Sequence, residues 1–461
     1  MKKKEKKTEY ELLSAETILK SIKTGEESDT VLSNIVLNLV KLKKSLPEKE
    51  YENLINSTSV RIKDELGIHK ALHFIYRLEL ANKTRKPTLA IYDHAFHFIG
   101  GAQKYGLTMV KALEDLFDIT IISNRNVTHE NFMNWYGLDL SKMNIKIIPI
   151  PYFEDLGTFH IEPHRVTKNM DNPFHIIGKE SGLYDIFINN GMLEMVYPLS
   201  PYSVMICHFP ERRPQSYFYS DLYTYTIYNS NYTGEWIRKR WKYEPHERIY
   251  PPVDMSPDKI PQKKEKIILS VARFEEGGTK KQFEMVKSFK RLKEIYPDES
   301  KDWKLILIGG STGKNRYLDK IEMFVNDNPQ YSIELMVNIG DNELRELYKR
   351  SMIFWHLCGI GQNDPAKVEH FGMTIAEAMQ NGIIPIVYDG GGQKEIVESG
   401  ISGFRIRSLN GLIKRTVYLM TNSIKAEKMK NSALIKSKQY DVIRFNSEIK
   451  KFFTDILRQI V

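Results

Sequence analysis

Cysteine is nearly absent from this sequence, which has only Cys207 and Cys358 among its 461 residues. The two lie far apart and lack the spacing of metal ligands, so a disulfide framework is excluded. Isolated thiols of this kind are typical of a reducing compartment, where each packs as a small apolar side chain. We therefore expect a cytoplasmic protein.

Long apolar runs are also missing, because no stretch approaches the roughly 20 apolar residues that span a membrane. The basic residues 1–7 are followed by polar residues instead of the apolar segment of a signal peptide. The sequence therefore predicts a protein that is soluble or peripheral to a membrane.

Positive charge is in slight excess, since 67 lysines and arginines face 58 acidic residues and give a net charge of +9. Such a balance suits nucleic acid, an anionic membrane surface or an anionic substrate, and it also occurs in proteins that are simply soluble. The length and a hydrophobic content of 41% suffice for two domains with an appendage.

Residues 369–395 carry the most chemical information. Their pattern predicts a loop, a short helix with Thr374 as its N-cap, a buried strand over 383–387, a glycine turn and a second helix. Such a segment places its loop at the carboxyl end of a parallel strand, where open α/β sheets bind ligands.

Two carboxylates in this segment, Glu369 and Glu377, can face the same crevice. An ionised carboxylate only accepts hydrogen bonds and therefore suits sugar and ribose hydroxyls. The amides at the helix start suit a phosphate, and we assign donor contacts there to Phe371, Gly372, Met373 and Thr374. Hydroxyls at the carboxylates and an anion at the amides together describe a nucleotide sugar.

The same residues carry a resemblance. The run Glu-x7-Glu with His-Phe-Gly after the first glutamate, then Glu-Ala-Met-x-x-Gly and Gly-Gly-x-x-Glu-Ile-Val, resembles the signature of retaining GT-B glycosyltransferases. The family is that of glycosyl transferases group 1, which includes bacterial mannosyltransferases and sucrose synthases. Its motifs cover about residues 88–455.

The resemblance implies an α/β protein of the GT-B fold, with two Rossmann-like, doubly wound domains facing a cleft and, here, an N-terminal helical extension. Strand–helix units repeated over both halves of the chain agree with this architecture. We assign the helical extension to residues 1–84, an acceptor domain to 85–250, a hinge to 251–264, a nucleotide-sugar domain to 265–430, and a helix crossing back to the first domain to 431–461. Within the acceptor domain we predict a helix over 102–116 and strands over 145–150 and 176–177.

Two cationic residues lie in the sequence before the segment 369–395. Arg273 ends a predicted strand and Lys280 begins a helix, and the family has an arginine and a lysine in the corresponding loop to hold the donor pyrophosphate. Arginine binds phosphate oxygens bidentately, whereas lysine acts as a point charge. Lys281 adjoins Lys280, so the sequence leaves open which lysine faces the donor. Gly310, after the next strand, is also assigned to the donor site.

The first domain contributes glycines and histidines. Gly100 and Gly101 form a loop that lets a ligand approach the backbone, and the family has a glycine-rich loop at this place. His208 follows a buried strand, and the resemblance implies contact with the donor sugar or the acceptor. Further candidates are His94 and His97 at the crevice, and Arg212 and Arg213 to neutralise a phosphate.

The resemblance implies transfer of a sugar from a nucleoside diphosphate sugar to a hydroxyl of a glycan, a lipid-linked acceptor or a protein. Arg273, Lys280, Glu369 and His208 are the predicted catalytic residues, and Glu377 is predicted to hold the ribose. No Asp-x-Asp motif appears in a strand context, and the two cations can replace a metal. We therefore predict no cofactor and no metal.

The sequence also allows functions other than sugar transfer to a glycan, lipid or protein. The basic charge suits a DNA-modifying glucosyltransferase, and the helical extension suits a scaffold that binds nucleotide sugars without catalysis. An epimerase on the same fold lacks support from His-Phe-Gly. For residues 1–84 we weigh packing on the main body, a homo-oligomer through these helices and a peripheral membrane contact.

Overall fold

The computed structural model describes residues 28–82, 85–157, 161–191, 193–212, 217–261, 263–311 and 313–460. Within these ranges it contains two parallel sheets, each covered by helices, and a helical extension. The α/β GT-B fold class predicted from the sequence is confirmed. None of the helices in these ranges has the combination of length and hydropathy that a membrane crossing needs.

The extension consists of three helices: α1 (Ser28–Leu42), α2 (Glu48–Leu66) and α3 (Ile68–Ala81). Leu32, Val36 and Phe74 are among the side chains that form its own small core. Arg77 at the end of α3 donates to the hydroxyl of Tyr202 in the first domain, at 2.9 Å. The extension therefore packs on the main body, whereas residues 1–27 of the predicted helical extension lie outside the described residues.

The first domain is built on a seven-stranded parallel sheet in the order β3-β2-β1-β4-β5-β6-β7. Its strands are β1 (Thr88–Tyr92), β2 (Asp118–Ser123), β3 (Asn144–Ile147), β4 (Ile186–Asn189), β5 (Tyr202–Cys207), β6 (Tyr225–Tyr228) and β7 (Glu247–Arg248). Its helices are α4 (Gly101–Leu113), α5 (His129–Tyr136), α6 (Pro151–Asp155), α7 (His175–Ser181) and α8 (Asn231–Arg240), with 3-10 turns at Pro163–Arg165 and Ser220–Leu222.

The second domain repeats the plan with six parallel strands in the order β10-β9-β8-β11-β12-β13. Its strands are β8 (Ile267–Val271), β9 (Lys304–Gly309), β10 (Ile333–Val337), β11 (Ile353–His356), β12 (Ile384–Tyr388) and β13 (Phe404–Ile406). Its helices are α9 (Gln282–Ile295), α10 (Pro297–Ser300), α11 (Arg316–Asn326), α12 (Asp341–Arg350), α13 (Met373–Gln380), α14 (Gln393–Ile396), α15 (Leu409–Thr421) and α16 (Ser423–Ser437), with 3-10 turns at Pro329–Tyr331, Pro365–Lys367 and Lys438–Tyr440.

The last helix, α17 (Val442–Ile460), returns to the first domain. Its apolar side chains Phe445, Ile449, Phe453 and Ile456 are buried in the core that lies under β1, β2 and α4. The core of the first domain thus includes residues 445–456, which lie far along the sequence from its strands.

One local prediction is wrong, and two further elements are confirmed in type but end earlier than predicted. Residues 176–177 lie in α7 and not in a strand, because two adjacent apolar residues have no period that distinguishes the two structures. The predicted helix over 102–116 ends earlier, since α4 stops at Leu113. Strand β3 ends at Ile147, three residues before the predicted end.

Candidate active site

A cavity of about 510 Å³ lies where the carboxyl ends of the two sheets face each other. This is the position at which doubly wound domains bind ligands. The first domain lines it with Gly101, Ala102, Tyr105, His208 and Asn229, and the hinge adds Pro251. The second domain lines it with Val271–Arg273, Glu275, Thr279, Lys280, His356, Cys358 and residues 366–374.

A charged cluster of three residues lies at the centre of the lining. Nζ of Lys280 is 2.9 Å from Oε2 of Glu369, and Nε2 of His356 is 2.8 Å from the same oxygen. Because a carboxylate only accepts, Nε2 of His356 donates this hydrogen bond. The loop that contains Glu369 is therefore fixed from two sides by strand β11 and by the start of α9.

Electrostatics keeps this cluster charged. Burial would raise the pKa of Glu369, but the ammonium of Lys280 and the hydrogen bond from His356 outweigh burial and hold the pKa well below its usual value. For Lys280, burial lowers the pKa, but the charge of Glu369 outweighs it and the net pKa is raised. Lys280 therefore remains an ammonium beside an ionised Glu369 across the neutral range.

The cluster also contains the donor set of a metal site. Side-chain atoms of His356, Cys358 and Glu369 lie within 4.8 Å of one another, and zinc uses such ligands. The ammonium of Lys280 lies among them, 3.8 Å from Sγ of Cys358. A metal ion would have to displace this ammonium. Within the part of the chain that the structure describes, buried Nδ1 of His356 has no hydrogen-bond partner that would orient the imidazole for a metal. The cation that this cluster holds is the lysine ammonium.

The two adjacent lysines differ in environment. Lys280 lines the cavity, whereas Lys281 occupies the N-cap position of α9 with a φ of 62° and does not line it. Of the two lysines, Lys280 is thus the one that faces the cavity, and its contact with the donor stays a prediction.

Arg273 lies at the rim of the same cavity, after strand β8. Its side chain is 69% exposed and pairs with Glu275 at 3.2 Å. The guanidinium therefore lines the same cavity as Lys280, and its ion pair with Glu275 is at the surface, where such a pair contributes little to fixing its position.

The start of helix α13 also faces the cavity. Gly372 is the N-cap residue with a φ of 110°, a conformation that favours glycine. Thr374 was predicted as the N-cap, but it lies inside the first turn because the helix already begins at Met373. The first amides of a helix have no acceptor within it, so this turn offers donors to an anion.

His208 contributes the first domain's side of the cavity. Its Nε2 lies 3.3 Å from Oδ1 of Asn190. The amide nitrogen of Asn190 donates to Asp93 at 2.6 Å, which fixes how the amide is oriented. Burial and the charge of His370 lower the pKa of His208 to about 4, so the imidazole is neutral at physiological pH.

Three predicted donor residues do not line the cavity. Glu377 is buried in α13 and accepts from the hydroxyl of Tyr348 at 2.9 Å. Gly310 accepts from the amide of Phe274 at 3.0 Å, and Gly100 is the N-cap of α4. Their donor contacts stay predictions. Arg212 is exposed, and Arg213 lies outside the described residues.

Three polar residues at the site were not predicted from the sequence: His356, Asn190 and Asp93. Each of the three ends or directly follows a buried parallel strand: β11 for His356, β4 for Asn190 and β1 for Asp93. A polar residue at such a position was the available signal, since strand ends of a parallel sheet meet at the ligand-binding edge.

The second domain matches a known protein family. Residues 254–435 match the family model described as glycosyl transferases group 1. A GDP-Man:Man(3)GlcNAc(2)-PP-Dol alpha-1,2-mannosyltransferase of Dictyostelium discoideum is 24% identical over 248 residues, which cover 50% of this chain and 47% of the relative. The mouse protein of the same name is 28% identical over 210 residues, covering 42% and 41%. The chain thus spans less than half the length of these curated relatives.

Among solved structures, Anabaena HepE, crystallised in complex with UDP and glucose, superposes with a TM-score of 0.59 and 15% identity. The superposition covers 80% of this chain and 99% of HepE. At this identity the likeness establishes a shared fold.

Proposed function

We infer that this chain, which belongs to the family of glycosyl transferases group 1, transfers a sugar from a nucleoside diphosphate sugar to a hydroxyl group with retention at the anomeric carbon. The observation that carries the proposal is the cluster of Lys280, Glu369 and His356 beside the start of helix α13. It combines a cation, helix-start amides and a carboxylate in one cavity between two domains.

The diphosphate of the donor would bind at the cationic side of this cluster. Lys280 and Arg273 supply positive charge, and the first amides of α13 supply hydrogen-bond donors. Charge grows on the departing phosphate as the bond to the sugar breaks, so fixed cations stabilise the transition state more than the bound substrate. The cations come from the chain itself, which supports a reaction that needs no metal.

The sugar would then face Glu369 and His208. Glu369 is ionised and has two carboxylate oxygens, of which Oε2 is held by Lys280 and His356. The second oxygen suits a sugar hydroxyl. Neutral His208 lies on the opposite wall, where the acceptor would enter from the first domain.

Retention is proposed on the family's pattern. The bond between the anomeric carbon and the phosphate oxygen breaks, and the acceptor oxygen bonds to the same face of that carbon. The acceptor proton passes to an oxygen of the leaving phosphate, so no carboxylate nucleophile is needed. The engagement of Glu369 by two donors supports a role in binding and not in nucleophilic attack.

The names of the relatives suggest where to look for substrates. Two are called GDP-Man alpha-1,2-mannosyltransferases with lipid-linked acceptors, and one structural neighbour holds UDP and glucose. We propose GDP-mannose as the first donor to test and a lipid-linked glycan as the acceptor class. Such an acceptor would bring the protein to the cytoplasmic surface of a membrane as a peripheral protein.

The test is a thermal-shift and hydrolysis panel with GDP-mannose, UDP-glucose and UDP-N-acetylglucosamine in the presence of EDTA. One donor should raise the melting temperature and be slowly hydrolysed, and proton NMR should show the released or transferred sugar first in the donor's anomeric configuration. Inverted product would refute retention, and loss of activity in EDTA would refute metal independence. If no nucleotide sugar binds, the transferase proposal fails and the scaffold alternative replaces it.

A further inference from the structure

Where the two domains meet, the carboxylate of Glu395 caps a helix that belongs to the other domain. Glu395 lies in α14 of the second domain and accepts the backbone N–H of Asn231 at 3.0 Å and that of Tyr232 at 2.9 Å. These are the first two residues of α8 in the first domain. The hydroxyl of Tyr250, at the hinge, also donates to Glu395 at 3.0 Å.

The contact completes the start of α8. The side chain of Ser230 accepts from the third amide of the helix, that of Thr233, at 3.1 Å. The first two amides are satisfied by Glu395, and a carboxylate at this end also interacts favourably with the helix dipole. Hydrogen bonds to an ionised acceptor are about twice as strong as neutral ones. Helix α8 is therefore fully capped only when the two domains are docked.

The same region holds both walls of the cavity. On the second domain, the amide of Gly392, just before Glu395, donates to the carbonyl of Glu369 at 2.8 Å. From the first domain, Oγ of Ser230 donates to the carbonyl of His370 at 2.6 Å. Thr233 donates through its hydroxyl to the carbonyl of His208 at 3.1 Å. The start of helix α8 thus forms hydrogen bonds both to the loop that contains Glu369 and to the backbone of His208.

We propose that Glu395 is a positioning residue that sets the distance between Glu369 in the second domain and His208 in the first. This inference rests on the proposed transferase function. The diphosphate of the donor would bind Lys280, Arg273 and the start of α13, which all lie in the second domain, so these contacts do not cross the interface. Transfer needs both walls, so loss of the Glu395 cap lowers kcat and leaves the KM for the donor nearly unchanged.

The experiment compares Glu395→Ala and Glu395→Gln with wild type and with Glu398→Gln, an exposed glutamate three residues further along. Steady-state kinetics with the donor found in the panel and small-angle X-ray scattering are measured on the full chain. We expect kcat to fall by about 10- to 100-fold, as for other misplacements near 1 Å. The KM for the donor should stay within about threefold, and the radius of gyration should increase. Glu398→Gln should behave as wild type in both measurements.

Each contrary result has a distinct meaning. An unchanged kcat and scattering profile in Glu395→Ala overturns the inference, and so does a raised KM with unchanged kcat. If the alanine variant does not fold, Tyr250→Phe removes one donor to the carboxylate and should lower kcat by about two- to tenfold. If wild type binds no donor, the proposed function fails, and the scattering comparison still decides whether Glu395 holds the domains together.

Discussion

At the scale of single residues, Lys280 and Lys281 are a matched pair for testing the site. Only Lys280 lines the cavity and pairs with Glu369. We predict that Lys280→Ala slows sugar transfer by about 10²–10³, or roughly 2–4 kcal/mol, as for other preorganised groups that stabilise developing charge. Lys281→Ala should keep the wild-type kcat. The measurement is steady-state transfer at saturating donor.

Stability must be followed in the same variants, because Lys280→Ala leaves Glu369 without its cation. The melting temperature of each variant separates a folding defect from a catalytic one. Equal losses of kcat in the two variants would show that the loop charge acts nonspecifically. An active Lys280→Ala would exclude the proposed role of this ammonium.

A second prediction for a single residue concerns Glu194, whose carboxyl group is buried and does not line the cavity. Its Oε1 has no hydrogen-bond partner among the described residues. Burial, with a smaller contribution from Glu211, raises its pKa from 4.5 to about 8. The folded protein therefore keeps this proton at neutral pH, whereas the unfolded chain loses it near the ordinary value.

Because the folded state binds more protons between pH 4.5 and about 8, the free energy of unfolding falls as pH rises through this window. At pH 7 the cost is on the order of 3 kcal/mol. We predict that Glu194→Gln is more stable than wild type at pH 8 and nearly equal to it at pH 4.5. Urea unfolding at the two values checks this, with exposed Glu322→Gln as the control. A pH-independent difference would contradict the raised pKa.

At the scale of elements, the glycine turn before α14 is packed directly on the loop of Glu369. A Cβ added at Gly392 would lie 2.1 Å from the carbonyl oxygen of His370 and 2.6 Å from Cα of Phe371. Both are backbone atoms and cannot move aside as a flexible side chain does. We predict that Gly392→Ala displaces the loop, lowers the free energy of unfolding by about 1–3 kcal/mol and reduces transfer at least tenfold.

The control is Gly340→Ala, where an added Cβ meets no atom within 4 Å. It should leave the melting temperature and the transfer rate near wild type. If Gly392→Ala retains both properties as well, the turn does not hold the catalytic loop, and the connection from Glu395 to Glu369 must run through other contacts.

The alternation of strands and helices could be predicted from the sequence because it depends on local patterns. The apolar run at 383–387 predicted β12, which the structure places at Ile384–Tyr388. The interface between the two domains could not be predicted from the sequence. The contact of Glu395 with Asn231 joins residues 164 positions apart and depends on how the two domains dock. The position of His356 at the end of β11 could have been recognised from the sequence, but its hydrogen bond with Glu369 could not, since Glu369 approaches only after the loop folds back.

At the scale of the whole molecule, helix α17 ties the C-terminal end of the sequence to the first domain. Phe453 is fully buried there, and its ring contacts that of Phe117 with a centroid distance of 6.1 Å. Phe289 is the equivalent in the other domain, buried in the core beneath β8 and β9. Truncation of either ring to alanine should cost about 3–5 kcal/mol, but in different domains.

We predict that Phe453→Ala speeds amide hydrogen exchange in α4 and β2, the elements that share its core, and leaves β8 and β9 protected. Phe289→Ala should do the reverse, because local opening follows the cooperative unit that lost its packing. Hydrogen exchange followed by mass spectrometry on both variants measures this directly. Equal loss of protection in both domains would mean that the chain opens as one unit, and the cap formed by Glu395 would then couple the stability of the domains as well as their positions.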